Sequence, residues 1–145
     1  MKNLVILLIL ASSTTLFSQS NRHEKIKALK VAHITEQLAL STSEAEKFWP
    51  IYNIYEEKMH AMRKTERKDI FGKIKTDFET LTEAEANSLI DKSLELKRNE
   101  LKIYSDLVSN LKGIIPSKKI ILLRKSEEDF KRKLLERYKN KKGKE

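Results

Sequence analysis

The chain has 145 residues and carries 30 Lys and Arg against 21 Asp and Glu, a formal charge of +9, with no cysteine, three glycines and two prolines. The absence of cysteine excludes a disulfide framework, a thiol nucleophile, a thiolate metal site and lipid attachment through sulfur. A charged fraction of 35% with so few breakers is the composition of long solvated helices.

Met1 to Ser20 has Lys2 as a basic start, an apolar run from Leu4 to Leu10 and a Ser/Thr-rich exit. This is the layout of a secretory signal peptide. Cleavage after Ser20 places small residues, Ser18 and Ser20, at the two selective positions, and the apolar run is shorter than the roughly 20 residues that span a bilayer. Loss of Lys2 leaves 29 basic against 21 acidic residues, a formal charge of +8 on an exported, periplasmic chain. Export separates the chain from nucleic acid, so its acidic partners are anionic membrane surfaces, polysaccharide or acidic polypeptide. An excess of this size equally serves plain solubility.

Residues 21–138 then read as one helical domain. From Arg22 to Ala39 no breaker occurs, with Ile26, Leu29 and His33 on one side and Val31, Ile34 and Leu38 on the adjoining one. This spacing predicts a first helix. Leu40-Ser41-Thr42-Ser43-Glu44 next sets a hydroxyl three residues before a carboxylate, the pattern of a capping box that starts a helix at a defined residue. Phe48, Tyr52, Tyr55, Met59 and Met62 follow at steps of four, three, four and three, a seam facing a partner helix. Pro50 removes one backbone bond inside that helix and predicts a kink or break near Trp49.

After the charged stretch from Arg63 to Asp69, apolar spacing resumes at Ile70, Phe71, Ile74 and Phe78, with fraying expected near Gly72. Leu81-Thr82-Glu83-Ala84-Glu85 then repeats the capping phrase forty-one residues after its first copy. It opens the longest helix, about 45 Å from Glu83 to Lys112 at 1.5 Å per residue. Ile90, Leu94, Leu101, Tyr104, Val108, Leu111 and Ile115 keep a seven-residue rhythm there, interrupted by Lys97. Gly113 and Pro116 stop it, and Ile114 and Ile115 are expected to pack back on it. Ser117 begins a closing helix with Ile120, Leu123, Phe130, Leu134 and Tyr138 among dense charges, and 139–145 read as a basic disordered tail. The fold class is all-α: four helices, two of them long and antiparallel in an extended hairpin. The apolar seams exceed what one thin layer covers, which points to a homodimer.

Chemistry is sparse along these helices. There is no Gly-rich phosphate loop, nucleophile elbow or His-Glu-x-x-His pair, and the scattered carboxylates read as solvated ion pairs, so no enzyme and no cofactor are expected. His23, His33 and His60 lack a second histidine at helical spacing; Met59 and Met62 flank His60 but do not complete a ligand set, and no metal site is assigned. Phe48, Tyr52 and Tyr55 fit a buried seam, which leaves Trp49 as the aromatic candidate for a polypeptide-binding surface.

The doubled Leu-Ser/Thr-x-x-Glu, at Leu40, Ser41, Glu44 and Leu81, Thr82, Glu85, resembles the doubled Leu-Thr-x-x-Gln of the Spy/CpxP superfamily of exported envelope-stress proteins. Residues Glu44-Ala45-Glu46-Lys47-Phe48-Trp49-Pro50-Ile51-Tyr52 and the stretches Ile115-Pro116-Ser117-Lys118-Lys119 and Glu128 to Leu135 resemble more closely the opening and closing helices of Bacteroidetes proteins labelled sensors of ECF-type sigma factors. The resemblance implies a helical hairpin that dimerises into a thin curved cradle. It also implies ATP-independent chaperoning of unfolded polypeptides, or sensing through a membrane signalling partner. Some relatives bind zinc or other metals, which makes a periplasmic metal sensor a further and less favoured alternative, since this chain lacks an evident ligand set. It also carries Glu44 and Glu85 where the family writes Gln, which keeps the caps but adds charge.

Overall fold

The computed structural model describes residues 14–142. Residues 1–13, with the basic start and apolar run of the expected signal, and residues 143–145 of the expected tail lie outside the described residues. All regular elements among the described residues are helical. In chain order they are α1 (Thr14–Gln37), α2 (Thr42–Glu66), a π turn (Arg67–Phe71), a short α3 (Gly72–Asp77), a 3-10 turn (Phe78–Thr80), α4 (Glu83–Leu111) and α5 (Ser117–Lys142). The all-α reading with four long helices is the architecture observed. The described residues fall into two compact units, 41–120, and 14–40 together with 121–142.

In the 41–120 unit α2 and α4 pack together, and three ion pairs join the segment of α2 and its π turn to the segment of α4 and the start of α5. Asp69 meets Lys92 at 2.6 Å, Glu66 meets Lys97 at 3.8 Å, and Glu44 meets Lys119, on the first turn of α5, at 2.6 Å. Partner numbers rise as those of the first segment fall, so the two arms run antiparallel, as the all-α hairpin reading expects. Phe48, Tyr52, Tyr55 and Met59 are the buried residues of α2, where the 3.6-residue period places them on one face. Helix α2 continues unbroken through Pro50. The carbonyl deprived of a donor belongs to Glu46, and both Glu46 and Pro50 are exposed, so the missing bond falls at a position open to solvent.

The fraying expected at Gly72 is replaced by a π turn, in which the Gly72 amide reaches back five residues to the Arg67 carbonyl. Within this turn Ile70 is buried and Asp69 meets Lys92. The hairpin's far arm ends in a type II turn, with Lys112 at φ −60°, ψ 130° and Gly113 at φ 86°, closed by the Ile114 amide donating to the Leu111 carbonyl at 3.0 Å. That second position needs positive φ, which glycine adopts without a Cβ penalty. Ile115 is buried behind it and the Pro116 carbonyl accepts from Lys119 and Ile120, starting α5.

The other unit takes α1 and the remainder of α5. Helix α1 ends with Ala39 at φ 45°, the Leu40 amide bonding to the Thr35 carbonyl and the Ala39 amide to the Glu36 carbonyl. This is a Schellman cap with alanine where glycine is usual. Ile34 and Leu38 of α1 and Leu123 of α5 are fully buried. His33 packs against the Phe130 ring at 5.7 Å and places Nε2 3.2 Å from the Ser126 carbonyl. A carbonyl only accepts, so Nε2 carries the proton. Helix α5 runs through Lys142, past Tyr138 where the sequence suggested its end, because no breaker precedes Gly143 and lysines suit a helix C-terminus.

Candidate binding surface

Both capping boxes form. Ser41 Oγ accepts the Glu44 amide at 3.2 Å while Glu44 Oε2 accepts the Ser41 amide at 2.8 Å. Thr82 Oγ1 accepts the Glu85 amide at 3.3 Å, and Glu85 Oε2 accepts both the Thr82 amide at 3.0 Å and its hydroxyl at 2.8 Å. Leu40 and Leu81, each preceding its cap, are half-buried. The two copies start opposite arms of the hairpin, separated by more than the length of α2, which is about 37 Å at 1.5 Å per residue. They therefore do not converge on one site. Replacing Ser41 or Thr82 with alanine is expected to lower stability by about 0.5–2 kcal/mol, read from the urea unfolding midpoint at unchanged slope.

Glu44 does more than cap. Its carboxylate also takes the Lys119 ammonium at 2.6 Å. The Lys119 hydrogen bond first, and the Ser41 amide second, hold its pKa below the usual 4.5. Glu85 is likewise lowered, by the Thr82 amide first and its hydroxyl second, with Lys73 assisting. A carboxylate with a depressed folded pKa contributes stability that is present above its unfolded value and lost as pH falls through the folded one. Stability of the native chain is thus expected to decline as pH drops below about 4.5. In Glu44→Gln, which keeps the acceptor but not the charge, that decline becomes shallower; urea midpoints measured across this range check it.

Trp49 is partly buried, its ring edge-on to Phe48 at 5.0 Å and to Tyr52 at 5.6 Å. Phe48 and Tyr52 stack at 5.3 Å with 14° between planes. The aromatic stretch is therefore chiefly packing, and Trp49 offers only part of one ring to solvent.

The larger apolar surface lies on α4, and it corrects the heptad reading. Ile90, Leu94 and Leu101, placed by the sequence in the seam, are 56%, 51% and 68% exposed, whereas Leu96, Leu107 and Leu111 are buried. Helix α4 carries two apolar stripes about 140° apart, one through Leu89, Leu96 and Ile103 and one through Ile90, Leu94 and Leu101. Both keep heptad spacing, so periodicity alone cannot say which one meets α2. Lys97 interrupts the outward stripe and is held in place by Glu100 at 3.0 Å and Glu66 at 3.8 Å. These carboxylates, Glu100 foremost, raise its pKa above the usual lysine value and keep it charged.

Between α2 and α4 runs an open groove of about 490 Å³, lined by apolar Met62, Leu96 and Ile103 and edged by Lys58, Lys92 and Lys102. Lys102 is paired to Asp106 at 2.9 Å and Lys92 to Asp69. Among the described residues no three His, Asp or Glu side chains converge on a metal-binding position, and no helix is long and apolar enough to cross a membrane. The His23 side chain lies outside the described residues. No family model matches the chain, and no curated protein and no solved structure matches it.

Proposed function

We propose that the chain is a periplasmic, ATP-independent binder of unfolded or partner polypeptides, the role that the resemblance to the Spy/CpxP superfamily implies. The observation that carries the reading is the outward stripe of Ile90, Leu94 and Leu101 on a helix otherwise rich in charge. Isolated exposed leucines are ordinary on a protein surface, but three aligned on one helix face form a strip that an extended apolar segment can cover. Arg98 is exposed beside it and the chain as a whole is net positive, so acidic segments are attracted over about a Debye length and capture is expected to slow as salt rises.

The reading is tested by aggregation of a chemically denatured client, with stoichiometric protein, at low salt. Suppression supports it, and an unchanged aggregation trace refutes it. Crosslinking in cells then separates the two polypeptide roles: many partners mark a chaperone, and one stoichiometric membrane partner marks a regulatory sensor.

A further inference from the structure

At the closed end of the hairpin, where the chain passes from α2 to α4, Phe71 and Ile74 fall three residues apart on one face at the π turn and α3, and Phe78 follows in the 3-10 turn. They are 56%, 39% and 66% exposed. Arg67, Lys68, Lys73 and Lys75 are exposed around them. The one carboxylate between Arg67 and Lys75 is Asp69, which is neutralised by Lys92 at 2.6 Å. The Lys92 hydrogen bond chiefly holds its pKa below the usual 3.8. Beside this face lies an open groove of about 470 Å³ lined by Lys68, Lys73 and Lys92 and by the carboxylates of Asp69 and Glu85, with Leu89 as its sole apolar lining residue.

We propose that this end of the hairpin docks on the interface of an anionic lipid bilayer. Phe71, Ile74 and Phe78 enter the boundary between headgroups and acyl chains, and Arg67, Lys68, Lys73 and Lys75 meet the headgroup phosphates. Apolar residues on one face with cations beside them make the pattern of a helix that lies in a membrane interface. A folded protein partner fits less well. A stable protein interface takes about 800 Å² per side and a hollow for each anchor, whereas here three side chains stand out beside a groove lined by charge. A fluid phase receives protruding rings without a preformed hollow, and the cationic rim is complementary to phosphate. Asp77 and Glu79 flank Phe78 and, being repelled by the same phosphates, keep the insertion shallow. The inference is independent of polypeptide capture, which uses α4.

The test is co-sedimentation of the full chain with vesicles of phosphatidylcholine alone and of phosphatidylcholine with about 30% phosphatidylglycerol, at low salt and at about 0.5 M NaCl, where screening removes surface attraction. Binding is expected only to the anionic vesicles and only at low salt. Phe71→Ser/Phe78→Ser is expected to abolish it with an unchanged circular dichroism melt, since both rings are exposed. Lys68→Gln/Lys75→Gln is expected to weaken partitioning about thirtyfold, from roughly 1 kcal/mol per cation near the surface. No binding, equal binding to both vesicles, or binding untouched by the Phe variant overturns the proposal. Loss of self-association or of client protection in the Phe variant, with vesicle binding retained, assigns the face to a second copy or a polypeptide and overturns it equally.

Discussion

The Leu94→Glu/Leu101→Glu variant is expected to lose protection of an aggregating client while its unfolding midpoint shifts by less than about 0.5 kcal/mol equivalent, the usual range for surface substitutions. Both side chains are more than half exposed, so neither contributes to the contact between α2 and α4, which uses Leu96, Leu107 and Leu111. A carboxylate in the middle of a contact strip must be desolvated before an apolar segment can cover it, and it also repels acidic clients. Loss of a central apolar anchor typically weakens association by 2 kcal/mol or more, so the pair is expected to reduce client affinity at least about hundredfold. Leu96→Glu should do the opposite: it buries a charge in the hairpin and unfolds it. Comparing the two variants by aggregation assay and thermal melt separates a binding stripe from a packing stripe on one helix.

Phe48→Ala is expected to be the most damaging single truncation for folding. The ring is fully buried and stacks on Tyr52 at 5.3 Å. Truncating a buried phenylalanine costs about 3–5 kcal/mol, a large share of the 5–15 kcal/mol that holds a small domain together. Trp49 touches both rings edge-on, so its emission should shift red as water reaches the vacated space, alongside a lower urea midpoint. Phe48→Leu keeps most of the volume and is expected to cost less than about 1.5 kcal/mol. Equal losses in both variants would show that the site depends on the aromatic stack rather than on filled volume.

The helical hairpin was legible in the sequence because its signals are local. The capping boxes at Ser41 and Thr82 involve atoms three residues apart, and the Gly113 turn requires a backbone conformation that few residues tolerate. The seam of α2 was legible for a related reason: it is the one strong apolar stripe on that helix, so Phe48, Tyr52, Tyr55 and Met59 had no competing face. Helix α4 has two stripes, and the choice between them is tertiary. The deciding contacts include Asp69 with Lys92 and Glu66 with Lys97, pairs separated by more than twenty residues, which a period of seven does not encode.

The π turn escaped the sequence for a different reason. Gly72 signals a weak point in a helix, and weakness is equally compatible with a frayed end or with one inserted residue. Ile70 is in phase with Tyr52 in a regular helix, eighteen residues being five turns, so its burial does not distinguish the two, and the insertion is set by packing that the sequence does not encode. Trp49 was singled out as the exposed member of an aromatic cluster, and the edge-on contacts with Phe48 and Tyr52 that limit its exposure depend on rotamers. The outward stripe could have been found from sequence by noting that Leu89, Leu96 and Ile103 repeat at seven residues beside Leu94, Leu101 and Val108. Two parallel heptad stripes on one helix mean that one is left over.

What covers the leftover stripe is best read by a photoreactive amino acid placed at position 101 in the full chain, with a second placed at position 57 on an exposed part of α2 as the comparison. After irradiation with a denatured client at low salt, crosslinks to the client are expected from position 101, diminishing as salt rises, and few from position 57. Client crosslinks of equal yield at both positions, or crosslinks from position 101 solely to a second copy of the chain, would contradict a polypeptide-binding role for α4.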